Sequence, residues 1–209
     1  MFSGIVEAVG TVTKAQAGAG VLRLWIERPS DFTDLKIGDS IATNGVCLTL
    51  ESQDSQNLVF ALAAETLAVL GEAPEQASAW IGRRLNLERS LRFGDRIHGH
   101  LVTGHVDSLG IIQARKQDGE SLFLTIQVQD SVLPLVWKKG SVTVNGTSLT
   151  VNAVNGSCVE LCLIPETQKR TNLGAVQVGD RVTIEPDYMA RAIRRALDAQ
   201  LPTLNEVKL

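Results

Sequence analysis

The sequence predicts a mainly β protein built as two like antiparallel barrels in tandem, closed by a C-terminal helix. Three observations carry that reading. The hexapeptide Asn44-Gly45-Val46-Cys47-Leu48-Thr49 returns 101 positions later as Asn145-Gly146-Thr147-Ser148-Leu149-Thr150. Three further segments keep nearly the same offset: Ser3–Gly10 with Thr103–Gly110, Phe60–Thr66 with Leu161–Thr167, and Ile81–Glu88 with Val178–Glu185. Between them run short β-rich stretches at intervals of roughly 8–12 residues, the spacing of a small barrel or sandwich. Two units are too few for a solenoid, which needs about three repeats, so the duplication reads as two barrels side by side.

Taken in order, Val9 to Lys14 and Val21 to Glu27 read as strands, with the small, flexible Ala15 to Gly20 as their connection. Ile37-Gly38-Asp39 turns the chain into Ser40 to Thr43, and Asn44-Gly45 is a strong two-residue hairpin signal. Cys47 to Ser52 and Leu58 to Ala63 follow as strands, and the second half repeats the order. The halves differ in two places. The alanine-rich Ala68 to Ala79 stands where the second half has Arg170-Thr171-Asn172-Leu173-Gly174. Only the second half ends in Tyr188 to Leu197, where apolar Met189, Ile193 and Leu197 alternate with arginines as in an amphipathic helix. Without a counterpart, that helix serves the whole molecule, and assembly is the natural use; its arginine face is either solvated or an intersubunit contact.

Composition narrows the function. The chain has 209 residues, 44% hydrophobic and 21% charged, with a formal charge of −3. That charge gives no attraction for nucleic acid or an anionic membrane. Aromatics at 4% supply no base-stacking platform, which disfavours an oligonucleotide-binding barrel. No apolar run approaches the ~20 residues of a membrane span, and the N-terminus lacks the basic region of a secretory signal. Cys47, Cys158 and Cys162 are an odd count without CxxC spacing, which argues against a disulfide framework or zinc site and for a reducing cytoplasm.

Met1-Phe2-Ser3-Gly4-Ile5-Val6, the doubled Asn-Gly-x-Cys/Ser-Leu-Thr, and Gly99-His100-Leu101-Val102-Thr103-Gly104-His105-Val106-Asp107 together resemble riboflavin synthase of the α-chain type, over Met1 to about Ala199. The resemblance implies two closed six-stranded Greek-key barrels that bind lumazine, over residues 1–97 and 98–187, with a trimerisation helix and tail over 188–209. It implies a dismutation of two 6,7-dimethyl-8-ribityllumazine molecules, one giving four carbons to the other. The products are riboflavin and 5-amino-6-ribitylaminouracil, and no metal or redox cofactor takes part. It also implies a homotrimer, with the reaction between barrels of neighbouring subunits, and an association with lumazine synthase. A lumazine- or flavin-carrying protein of the same fold is the alternative; such carriers tend to lack the Cys and His residues kept here.

The resemblance assigns Gly4, Ile5 and Val6, Cys47, Leu48 and Thr49, and Ala61, Leu62, Ala63, Ala64, Glu65 and Thr66 to one lumazine ring. It assigns Gly104, His105 and Val106, Ser148, Leu149 and Thr150, and Cys162, Leu163, Ile164, Pro165, Glu166 and Thr167 to the other. A pteridine edge alternates donors and acceptors, which strand-edge backbone and threonine hydroxyls match. Glycines 4 and 104 would let backbone approach the ring. Cys47 is the candidate nucleophile or water-positioning thiol, although a free cysteine in a strand is more often a small buried apolar group, as taken for Cys158 and Cys162. Ser148 is its hydroxyl counterpart. His100 and His105, five apart and so on opposite faces of a strand, suit proton transfer from the 7-methyl group; structural histidines are the alternative. Lys139, Ser40 and Asp187 match further polar positions of the family's site. The Thr-x-Leu-Gly wall is missing from the first half.

Overall fold

Strict alternation makes the barrels. In Val21–Glu27, Leu22, Leu24 and Ile26 are fully buried while Val21, Arg23 and Trp25 between them are only half-buried, as a strand with one face on a core requires. In the computed structural model, which describes residues 1–200, six such strands close the first barrel. They are β1 (Ala8–Gly18), β2 (Val21–Glu27), β3 (Ser40–Thr43), β4 (Val46–Gln53), β5 (Asn57–Ala63) and β6 (Arg84–Arg89), hydrogen-bonded in the closed order β1-β2-β5-β4-β3-β6. The second barrel repeats the pattern with β7 (Ser108–Asp118), β8 (Ser121–Gln127), β9 (Ser141–Val144), β10 (Thr147–Asn155), β11 (Cys158–Leu163) and β12 (Arg181–Pro186). Closure leaves no unpaired sheet edge. Each long strand carries a bulge at the matching place, at Val12/Lys14 and Leu50/Ser52 in one barrel and Ile112/Ala114 and Val151/Ala153 in the other. Bulges bend strands, which is how so small a barrel turns its corners.

The first hairpin differs from expectation. β1 runs through the small residues to Gly18, and only Ala19 and Gly20 turn, both at positive φ. The turn needs two left-handed residues, not a long linker. Asn44-Gly45 and Asn145-Gly146 are likewise two-residue turns with both φ positive. Short helices α1 (Ala64–Val69) and α2 (Pro165–Arg170) follow β5 and β11. After α2 a 3-10 turn, Asn172–Ala175, drives Leu173 into the second core, where it is fully buried. The first half closes instead with Leu70 and with Trp80 at the end of the 3-10 segment Pro74–Trp80. Helix α3 (Tyr188–Gln200) comes last. Its Tyr188, Met189, Ile193 and Leu197 are each 45–57% exposed. Arg191 donates to Asp107 of the second barrel, so the arginine face is partly an intrachain anchor.

The barrels meet around an approximate two-fold relation. A Cβ on Gly45 would lie 2.8 Å from the Gly146 nitrogen, and one on Gly146 would lie 2.7 Å from the Gly45 nitrogen. Only glycine admits that approach. Asn86 donates through Nδ2 to the Asn145 carbonyl at 2.8 Å, and Thr183 Oγ1 donates to the Asn44 carbonyl at 2.6 Å. Phe2 and Val102 exchange backbone hydrogen bonds of 2.8 and 3.0 Å and are buried with Ala42.

Candidate functional site

The outward residues of β4 and β5 and of β10 and β11 form two matching faces. Alternation turns Leu48, Leu50 and Leu62 into the first core and leaves Cys47, Thr49, Ala61 and Ala63 on the outer face. The second barrel likewise buries Leu149, Val151 and Leu163 and presents Ser148, Thr150, Cys162 and Ile164. α1 places Ala64, Glu65 and Thr66 beside the first face; α2 places Pro165, Glu166 and Thr167 beside the second.

Each face is completed by the other half of the chain, which reverses the grouping expected from the resemblance. The Cys47 amide donates to the Gly104 carbonyl at 2.8 Å, and the Ser148 amide to the Gly4 carbonyl at 2.7 Å. Gly104 has φ +79° and a Cβ there would fall 2.6 Å from Cys47 Cβ; Gly4 has φ +74° and stands in the same relation to Ser148 at 2.6 Å. Gly104, His105 and Val106 therefore belong with Cys47, and Gly4 with Ser148. A cavity of about 220 Å³ is lined by Cys47, Glu65, Thr66, Gly104, His105 and Val106, with Val46, Val69 and Leu70. The offset between repeats gives the residue matching but not which copy a crossing strap lands on, so pattern alone did not distinguish the two groupings.

Two residues outside the expected set hold these straps. Glu88 on β6 is 4% exposed and accepts from the Ser3 amide at 2.7 Å, the Ser3 hydroxyl at 2.9 Å and the Gly4 amide at 3.0 Å. Glu185 on β12 is 2% exposed and accepts from the Thr103 amide at 2.7 Å, its hydroxyl at 2.6 Å and the Gly104 amide at 3.0 Å. Burial pushes both carboxyls above the usual range, while these hydrogen bonds pull the other way. The signal was present in the sequence, since Leu85-Asn86-Leu87-Glu88 and Val182-Thr183-Ile184-Glu185 each end an apolar strand on a glutamate at matched positions.

The two histidines separate. His105 is exposed at the Cys47 cavity, its amide donating to Thr103 Oγ1 at 3.2 Å. His100 is half-buried beside Ser148, with Nδ1 2.7 Å from Ser148 Oγ and Nε2 3.2 Å from Thr143 Oγ1. With its proton on Nε2, His100 accepts from the Ser148 hydroxyl and donates to Thr143. Burial lowers its pKa, opposed by the nearby Asp187 carboxylate. Gly99 makes room for this contact: a Cβ there would sit 2.1 Å from the Ser3 carbonyl oxygen and 2.8 Å from Ser148 Oγ.

The remaining expected residues scatter. Ser40 and Ile5 line a cleft of about 600 Å³, apart from the Cys47 cavity, with Ser3, Glu88, Arg89 and His98. Val6 is buried in the protein. Asp187 caps α3, accepting from the Met189 amide at 2.9 Å. Lys139 is exposed, holds φ +71° in a turn and donates its amide to the Val151 carbonyl, and does not line the Cys47 cavity. Thr167 accepts from Thr171, and Glu166 pairs with Arg170. Among the described residues, no cluster of three or more His, Cys, Asp or Glu is arranged to hold a metal ion.

A model of the lumazine binding domain matches this chain twice, over residues 3–90 and 103–187. A riboflavin synthase of Brucella abortus is 39% identical, over 96% of this chain and all of its own. One of Mycobacterium tuberculosis is 41% identical, over 94% of this chain and 98% of its own. The chain belongs to the riboflavin synthase family. The family's fold is also that of solved structures of LumP, one complexed with riboflavin (TM-score 0.80, 20% identity) and one with 6,7-dimethyl-8-(1'-D-ribityl) lumazine (TM-score 0.77, 18%). Each covers 89% of this chain and 99% of LumP.

Proposed function

We propose that this chain carries out the riboflavin synthase reaction, combining two molecules of 6,7-dimethyl-8-ribityllumazine into riboflavin and 5-amino-6-ribitylaminouracil by transfer of a four-carbon unit. Membership of the family supports the reaction. One structural observation carries the reading of the site: two related faces, each completed by a strap from the other half, present different polar groups. Two identical substrates must play unequal parts, one giving four carbons and one taking them, and a thiol face opposite a hydroxyl–imidazole face supplies that inequality.

In this proposal one lumazine lies on Cys47, Thr49 and Ala61–Thr66 against Gly104-His105-Val106. The other lies on Ser148, Thr150 and Cys162–Thr167 against Gly4-Ile5-Val6. A nucleophile adds to C7 of the ring that accepts the four-carbon unit, and a proton leaves the 7-methyl group of a lumazine. Cys47 is placed to attack or to hold water in the first face. Ser148 has in His100 the base a hydroxyl requires, at 2.7 Å, and His105 is the exposed imidazole available for proton transfer beside Cys47. Lys139 and Ser40 do not line the Cys47 cavity of their own chain; Ser40 shares a cleft with Ile5, on the side of the second lumazine. The exposed apolar stripe of α3 supports a homotrimer in which faces of neighbouring subunits meet. Three free cysteines fit a cytoplasmic location, and association with lumazine synthase completes the proposal.

The test is direct. Purified protein incubated with 6,7-dimethyl-8-ribityllumazine forms riboflavin; tight stoichiometric binding without turnover would instead mark a carrier.

A further inference from the structure

The two straps end on matched acids that find different partners. The first strap, Ser3-Gly4-Ile5-Val6, runs into Glu7, and the second, Thr103-Gly104-His105-Val106, into Asp107. Both acids enter their barrels the same way. The Glu7 amide donates to the Leu87 carbonyl at 2.9 Å, and the Asp107 amide to the Ile184 carbonyl at 3.0 Å. Their side chains are held differently. Glu7 is gripped by Arg89, the residue after Glu88 on β6: the Arg89 amide donates to Oε1 at 2.7 Å and Nε to Oε2 at 3.0 Å. The residue after Glu185 on β12 is Pro186, which has neither an amide proton nor a charge. At this position β12 offers Asp107 no such partner.

The partner comes from α3. Arg191, in the first turn of the helix, donates through a terminal guanidinium nitrogen to Asp107 Oδ2 at 2.5 Å. Both ion pairs keep about a third of their side-chain surface in water, so screening treats them alike. The Arg191 charge reaches past Asp107. Burial raises the carboxyls of both Asp107 and Glu185, and the Arg191 guanidinium opposes the rise at each. Those two carboxylates bracket the second strap. Glu185 accepts from Thr103 and Gly104 at its start, and Asp107 follows His105 and Val106 at its end. Arg194, by contrast, pairs with Asp198 inside the helix.

We infer that Arg191 is a positioning residue of the thiol face: α3 reaches back over the second barrel and does for the His105 strap what Arg89 does for the first. The inference rests on the reading of that face as a lumazine site. It makes α3, whose Met189, Ile193 and Leu197 stand exposed, part of the site as well as the helix proposed for assembly.

The test alkylates the full-length protein with iodoacetamide and follows Cys47, with Cys158 and Cys162 as internal standards. Cys47 shares its cavity with His105 and Val106, so a loosened strap opens it. Arg191→Met and Asp107→Asn should each speed Cys47 alkylation about five-fold, and the double variant should exceed neither. Arg191→Lys keeps the charge and should restore the wild-type rate to within about two-fold. Arg194→Met, on the same helix, should leave it unchanged. In turnover, Arg191→Met should lower kcat about five-fold and change KM by less than about two-fold, because the strap aims His105. Unchanged alkylation in both single variants, an effect confined to one of them, additive effects in the double variant, or a change in KM alone would each overturn the inference. Failure of the lumazine reading shows separately, as wild-type protein that forms no riboflavin; the alkylation result does not depend on it.

Discussion

At the scale of single residues, the site depends on two glycines and two glutamates more than on the side chains that would touch substrate. Gly104 and Gly4 combine a left-handed backbone with van der Waals contact against Cys47 and Ser148. An alanine there is strained twice, and Gly104→Ala should cost roughly 1–3 kcal/mol of stability by denaturant unfolding, with turnover falling by more than lumazine binding. Glu185→Gln keeps one acceptor for Thr103 but turns an N–H donor toward the Gly104 amide. We expect it to disturb the thiol face alone, read as a changed rate of Cys47 alkylation with Cys158 and Cys162 as internal standards. Glu88→Gln should leave that rate unchanged and alter riboflavin formation through Ser148. His100 supplies a pH prediction. Burial sets its folded pKa below 6.5, so the folded state favours neutral imidazole. Its contribution to stability is present above pH 6.5 and is lost as pH falls through the folded value. Turnover that uses neutral His100 should therefore persist to below pH 6.5 before it falls, and His100→Gln should remove that acid limb from a rate profile otherwise measured on intact protein.

At the scale of elements, the strands were legible because alternation and Asn-Gly turns are local. Val21–Glu27, the Thr43/Val46 and Val144/Thr147 hairpins and the helix after Asp187 all follow from neighbours within a few residues. The straps were not. Nothing local to Gly4 or Gly104 says which barrel its carbonyl meets, and that contact, at a sequence separation above forty residues, decides the composition of each face. Glu88 and Glu185 escaped for a related reason, because their partners are backbone amides more than eighty residues away. The α3 stripe belongs at this scale as well. Its four large apolar side chains are about half exposed on the single chain. Ile193→Asp should shift the assembled mass measured by light scattering toward the monomer while circular dichroism of the barrels stays unchanged; a variant that kept the wild-type mass would remove α3 from assembly.

At the scale of the whole molecule, the barrels are joined by polar contacts buried between them as well as by sequence. Asn172 donates through its amide to Asn86 Oδ1 at 2.7 Å and through Nδ2 to Asn44 Oδ1 and the Arg84 carbonyl, each at 2.9 Å. Asn172→Ala removes the side-chain bonds and strands Asn145 Nδ2, which donates to Asn172 Oδ1 at 3.2 Å; the loss should cost about 1–3 kcal/mol. The intact chain should melt in one calorimetric transition, and this variant should broaden or split it. The missing equivalent in the first half was legible as an alanine-rich replacement, but its consequence, an open cavity of about 560 Å³ between the barrels, was not: sequence shows which residues are absent and only packing shows what fills the space.

The crossing straps also constrain how such a molecule could have arisen. If each face is finished by backbone from the opposite half, a lone barrel has a face without its strap and a strap without a face. A single-barrel ancestor could have satisfied both only by exchanging leading segments with a second copy of itself, each lending the other residues 1–6 or their equivalent. Joining two such copies in one chain would change the covalent connection and keep the Cys47–Gly104 and Ser148–Gly4 contacts. It would also let the copies differ, one with a thiol where the other has a hydroxyl, an inequality that a symmetric pair encoded by one gene could never hold.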